Sequence, residues 1–135
     1  MSATQIKILL VEDEPPLLQL IDKYLQRLGF EVETHLKSVD ALRNFEAAPE
    51  RYQMVIADLG MPDMPGDTLL TRMLEIRPDL RILVCSGSPF FIENLPASLQ
   101  RQVAFLQKPF VPKMLADAVQ NLLQERPGNP APSAG

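Results

Sequence analysis

Met54-Val55-Ile56-Ala57-Asp58-Leu59-Gly60-Met61-Pro62-Asp63-Met64-Pro65-Gly66 decides how the chain is read. An apolar run leads straight into a carboxylate, and a cluster of proline and glycine follows. The run reads as a buried strand and the cluster as a loop. A carboxylate at the exit of a buried strand is poorly solvated unless something pairs with it. Candidates stand at the ends of three other expected strands: Glu12 and Asp13, Ser86, and Lys108.

Working outward, short apolar runs alternate with amphipathic stretches. Strands are expected at Ile6 to Val11, Glu31 to His35, Tyr52 to Ala57, Arg81 to Cys85 and Val103 to Leu106. Helices are expected at Glu14 to Leu28, Ser38 to Ala48, Asp67 to Arg77, Pro89 to Arg101 and Pro112 to Glu125. Pro15 and Pro16 suit a first helical turn, Gly29 a C-terminal stop, and Ser38 and Asp67 N-caps. Pro96 breaks or kinks the expected helix that contains it. Residues 1–125 form one domain in this reading, and the Pro/Gly/Ser/Ala-rich segment 126–135 a disordered tail.

Five βα units predict an α/β, doubly wound five-stranded parallel sheet. The strands are continuous apolar runs, as strands covered on both faces require. In such a sheet, functional groups gather at the carboxyl ends of the strands. Glu12, Asp13, Asp58, Ser86 and Lys108 then share one rim, although they are far apart in sequence.

A chain of 135 residues is long enough for one well-buried core. Its formal net charge of -4 comes without a basic stripe, which argues against nucleic-acid binding. A single Cys cannot form an internal disulfide, and one Cys with one His cannot build a zinc site. With no signal-peptide core and no run long enough to cross a bilayer, a cytoplasmic setting without membrane partners is expected. There is no glycine-rich phosphate loop, so nucleotide binding is not expected.

The rim residues carry the chemistry. Two unit charges about 5 Å apart repel by roughly 3 kcal/mol at an effective dielectric near 20. A hard divalent cation removes that penalty, and Mg2+ favours carboxylate and water oxygens, with Mn2+ as a substitute. Glu12-Asp13-Glu14 also suits the plain start of a helix, where acids favour the positive dipole end. Lys108, before Pro109, either pairs with Asp58 and its anions or is a solvated lysine. Ser86, before Gly87, either donates to an anion or caps a turn. Together the set suits phosphoryl transfer to Asp58, which needs positioning and charge neutralisation and yields an acyl phosphate.

The ordered set resembles the receiver domain of two-component response regulators. It comprises Glu12-Asp13, Asp58 within Asp58-Leu59-Gly60-Met61-Pro62-Asp63-Met64-Pro65-Gly66, Ser86, and Lys108-Pro109. The likeness covers residues 6 to about 125. It implies the flavodoxin-like (βα)5 fold with strand order 2-1-3-4-5. It implies that Asp58 accepts a phosphoryl group from a histidine kinase or histidine phosphotransfer protein. It implies that Glu12, Asp13, Asp58 and the backbone carbonyl of Gly60 hold Mg2+, and that Ser86 and Phe105 form a conformational switch. The family's usual Tyr is Phe105 here, so any switch would rest on apolar burial rather than on a hydroxyl. Gly60 and Ser88 match positions that line the path of attacking water, and both are small. The surface of the fourth helix, fifth strand and fifth helix is the implied signalling face and a possible homodimer contact.

Two other functions compete. An aspartate-nucleophile phosphatase of the haloacid-dehalogenase type would place a second Asp where Gly60 stands. A phosphorylation-independent binding module would not need the acids and the lysine together. His35 reads as structural, Cys85 as a small buried hydrophobe, and Pro89-Phe90-Phe91-Ile92 as either a partner surface or the start of a core helix. The segment after Glu125 is too short for an effector domain. The chain is therefore either a standalone receiver or a segment of a longer regulator or hybrid kinase.

Overall fold

Strand β3 (Met54–Ala57) is buried along its whole length and is the middle strand of the sheet. The computed structural model describes residues 5–90 and 92–124. Around β3 lie β1 (Lys7–Val11), β2 (Glu31–His35), β4 (Arg81–Ser86) and β5 (Val103–Gln107), all parallel, in the order β2-β1-β3-β4-β5. The expected topology is thus present. The expected tail at 126–135 lies outside the described residues.

The two-residue period of a strand sorts its side chains onto two cores. Leu9, Val11, Val55, Ala57, Ile82 and Val84 face helices α2 (Ser38–Ala47) and α3 (Gly66–Ile76). Ile8, Leu10, Met54, Ile56, Leu83 and Cys85 face α1 (Pro15–Arg27) and α4 (Pro112–Gln124). The α4 residues Leu115, Val119 and Leu122, which share a helical face in the sequence, are all buried there. Gly29 ends the first helical segment with φ 99°, a left-handed conformation that only glycine adopts without strain.

Three local expectations are corrected. Among the described residues of Pro89 to Arg101 the expected helix is absent; they instead make two 3-10 turns, Ile92–Asn94 and Ala97–Leu99. Pro96 has no N–H to donate and disfavours helical geometry at Leu95. Phe90, Leu95 and Leu99 still pack on the sheet, but at spacings no single helical face provides. Among the described residues there are therefore five strands and four α-helices.

Ser38 is the first residue of α2 rather than its N-cap, and its buried hydroxyl has no hydrogen-bond partner. Asp67 lies inside the first turn of α3, behind Pro65 at the cap position, and its Oδ1 accepts from the Thr68 N–H at 3.0 Å.

Candidate phosphoacceptor site

The parallel ladder runs one residue past each strand and carries the rim residues with it. The Glu12 N–H donates to the His35 carbonyl at 3.1 Å, the Asp58 N–H to the Val11 carbonyl at 3.1 Å, and the Lys108 N–H to the Ser86 carbonyl at 2.9 Å. Main-chain bonds thus fix where Glu12, Asp58 and Lys108 begin. Glu12 and Asp58 follow adjacent strands, whereas Lys108 follows a strand two places from β3. That gap is about 10 Å at ordinary strand spacing, and only a long side chain spans it.

Lys108 does span it. Its Nζ donates to Glu12 Oε1 at 2.7 Å and to Asp58 Oδ2 at 2.9 Å. The Glu14 N–H donates to Glu12 Oε2 at 3.2 Å, and the Gly60 N–H to Asp58 Oδ1 at 2.8 Å. Each of the two buried carboxylates therefore has both oxygens engaged. Burial pushes the Glu12 carboxyl above its ordinary value, against the pull of Lys108 and the Glu14 N–H. Burial also acts to lower the Lys108 pKa, but the bonds to Glu12 and Asp58 outweigh it and leave the ammonium above the usual lysine value.

Asp13 completes the acidic set and is the least buried of the three. One carboxylate oxygen each from Glu12, Asp13 and Asp58 lies within 4.8 Å of the others. Three carboxylates and one ammonium leave two negative charges on hard oxygen donors. That donor set fits a divalent, oxygen-seeking cation such as Mg2+.

Of the remaining expected residues, Ser86 ends β4 at the same rim, whereas Phe105 lies within β5. Ser86 is buried at the end of β4, and its Oγ accepts from the Ser88 N–H at 3.1 Å. Phe105, opposite Val84 in the ladder, is half-buried, with its ring centroid 6.1 Å from that of Phe90. A Cβ added to Gly60 would meet Asp58 Oδ1 at 3.4 Å, so a side chain there would project beside the candidate phosphoacceptor. His35 bonds Glu33 through Nε2 at 2.9 Å and reaches the rim only through its carbonyl. Cys85 is buried, and burial pushes its thiol up to about 12, in keeping with a packed hydrophobe.

A family model for the response regulator receiver domain matches residues 8–120. The chain belongs to that family. As a receiver domain it is 35% identical over 121 residues to the sensor kinase CckA of Brucella abortus, covering 88% of this chain and 13% of that protein. It is 28% identical to the response regulator receiver protein CpdR of the same organism, covering 87% of this chain and 96% of the relative. Among solved structures, a CheY-like receiver domain protein from Methanospirillum hungatei superposes with a TM-score of 0.77 at 27% identity, covering 89% and 94% of the two chains. The receiver thus spans a small part of one relative and nearly all of another. Among its described residues, no helix is long and apolar enough to cross a membrane.

Two features of this receiver escape sequence reasoning. Asp63 lies in the loop after β3, yet it bonds the first turn of α2 through both carboxylate oxygens. A groove of about 400 Å3 opens beside Lys108, lined by Leu17, Leu20, Tyr24, Phe110 and Leu115. In the sequence, Leu20 shares a helical face of α1 with Leu17 and Tyr24, and Phe110 is one of many residues in a loop. Neither carries a signal that they meet.

Proposed function

We propose that Asp58 accepts a phosphoryl group from the phosphohistidine of a histidine kinase or histidine phosphotransfer protein. The observation that carries this reading is the Lys108 ammonium held between Glu12 and Asp58 at 2.7 and 2.9 Å. An Asp58 carboxylate oxygen attacks phosphorus, the P–N bond to the donor imidazole breaks, and that nitrogen keeps the electron pair. The product is an acyl phosphate.

Attack removes the charge of the Asp58 carboxylate and leaves phosphoryl oxygens as the strongest nearby acceptors for Lys108. Glu12, Asp13, Asp58 and the Gly60 carbonyl would hold Mg2+, which when bound would neutralise charge developing on the phosphoryl oxygens. The Ser86 hydroxyl accepts from Ser88 and retains its own hydrogen to donate. Drawn toward the phosphoryl group, it would favour a second arrangement of Phe105 against Phe90; the phosphoryl group biases the two states by that difference alone. The small residue at Gly60 leaves the site open to water, so a bulky replacement would prolong the acyl phosphate.

The groove next to Lys108 supports docking of the donor, because a protein seated there would lie beside the phosphoacceptor. A cytoplasmic setting and self-association belong to the same reading; the face expected for it has the turns Ile92–Asn94 and Ala97–Leu99 in place of its fourth helix, beside β5 and α4.

Incubation with acetyl phosphate and Mg2+, followed by intact-mass measurement, tests it. One phosphoryl adduct is expected on the parent protein and none on Asp58→Asn. Equal labelling of both proteins would reject Asp58 as acceptor.

A further inference from the structure

Asp63 joins two elements that the phosphoacceptor chemistry does not otherwise connect. Its Oδ1 accepts from the Ser38 N–H at 3.2 Å and its Oδ2 from the Val39 N–H at 2.9 Å. These are the first two residues of α2. The helix needs such a partner: its own N-cap, Lys37, makes no side-chain capping bond, and the Ser38 hydroxyl is buried without one. A carboxylate also suits the positive end of the helix dipole.

On the other side of this bond is the loop that carries Asp58 and Gly60. Its start is fixed by the Gly60 N–H on Asp58 Oδ1, and Met61 is buried in the core. Its end is fixed by contact, because a Cβ on Gly66 would lie 2.5 Å from Leu59 Cβ. Asp63 ties down the stretch between them.

We propose that Asp63 is a positioning residue for the cation site. By gripping α2 it holds the loop in the shape that presents Asp58 and the Gly60 backbone. The proposal rests on the reading of Glu12, Asp13 and Asp58 as a Mg2+ site. If the grip favours the cation-binding shape of the loop, bound cation must favour the grip by the same factor. The first turn of α2 would then report occupancy of a site to which it contributes no ligand.

The test is a MgCl2 titration of the 15N-labelled full chain, followed by amide NMR, on the parent, Asp63→Ala and Asp63→Asn. In the parent, the Ser38 and Val39 amides should shift and exchange more slowly as Mg2+ saturates. Asp63→Ala should bind Mg2+ about fivefold more weakly, the scale of one lost capping interaction. Asp63→Asn, which keeps one acceptor oxygen, should fall between. Weaker thermal stability with unchanged Mg2+ affinity would make Asp63 a helix cap only and overturn the proposal. Ser38 and Val39 amides indifferent to saturating Mg2+ would overturn it even if Asp63→Ala failed to fold. A parent that bound no Mg2+ would overturn the metal-site reading together with the proposal, whereas normal parent binding with an indifferent α2 would overturn the proposal alone.

Discussion

Lys108 and Asp58, fifty residues apart in sequence, meet at 2.9 Å through an ammonium and a carboxylate oxygen. The same ammonium reaches Glu12, whose carboxyl is already raised, first by burial. Lys108→Ala removes the larger of the two pulls that oppose burial, so the Glu12 carboxyl should rise further, read by carbon-detected NMR titration. The variant should remain folded and still take a phosphoryl group or its beryllium trifluoride mimic, but the Phe105 resonances should no longer follow that modification. A normal Phe105 response would remove Lys108 from the switch.

Gly66 should tolerate no side chain. A Cβ there would lie 2.5 Å from Leu59 Cβ and 2.6 Å from Leu59 Cα, and the latter is backbone that cannot rotate away. Gly66→Ala should cost about 1–3 kcal/mol, the usual scale of overpacking, measured as a lower urea midpoint with unchanged slope.

The edge of the sheet has its own pH dependence. Burial acts to raise the Glu33 carboxyl, but bonds from His35 and Tyr52 outweigh it and leave the group below its ordinary value. Burial, then the bond to Glu33, pushes the Tyr52 hydroxyl up to about 12. Stability from Glu33 is present above its unfolded value of 4.5 and is lost as pH falls through the lower folded one. Stability from Tyr52 is present below 10.0 and is lost as pH rises toward about 12. Tyr52→Phe should flatten the alkaline fall, and Glu33→Gln the acid one. Denaturation midpoints across pH check both, and an unchanged alkaline limb in Tyr52→Phe would contradict the first.

Gln102 is a buried amide, only 2% exposed, and its Nε2 donates to the Pro78 and Leu80 carbonyls. Gln102→Leu fills the space but leaves two carbonyls without that donor. A loss of about 1–3 kcal/mol is expected in chemical denaturation.

Legibility in the sequence followed the range of the interactions. The buried strands, the stop at Gly29 and the convergence of Glu12, Asp58 and Lys108 were all readable, because each follows from a local run or from a rule about parallel sheets. The cap of α2 was not, because Ser38 looked sufficient while the working carboxylate, Asp63, lies 25 residues downstream. The segment from Pro89 to Arg101 reads as a helix because its apolar content resembles a helix face, whereas Pro96 and the sheet beneath select two tight turns. Gln102 and the groove beside Lys108 were invisible because both depend on how separate elements meet.

The ladder bonds that extend beyond β1, β3 and β5 have a consequence for substitution. The backbone acts as a ruler, so the gaps between anchor points at the rim do not depend on which side chains hang from them. A substitution at the rim therefore leaves the main-chain anchor points where they are. Only the lysine, whose task is to bridge two gaps at once, has its length dictated by the scaffold.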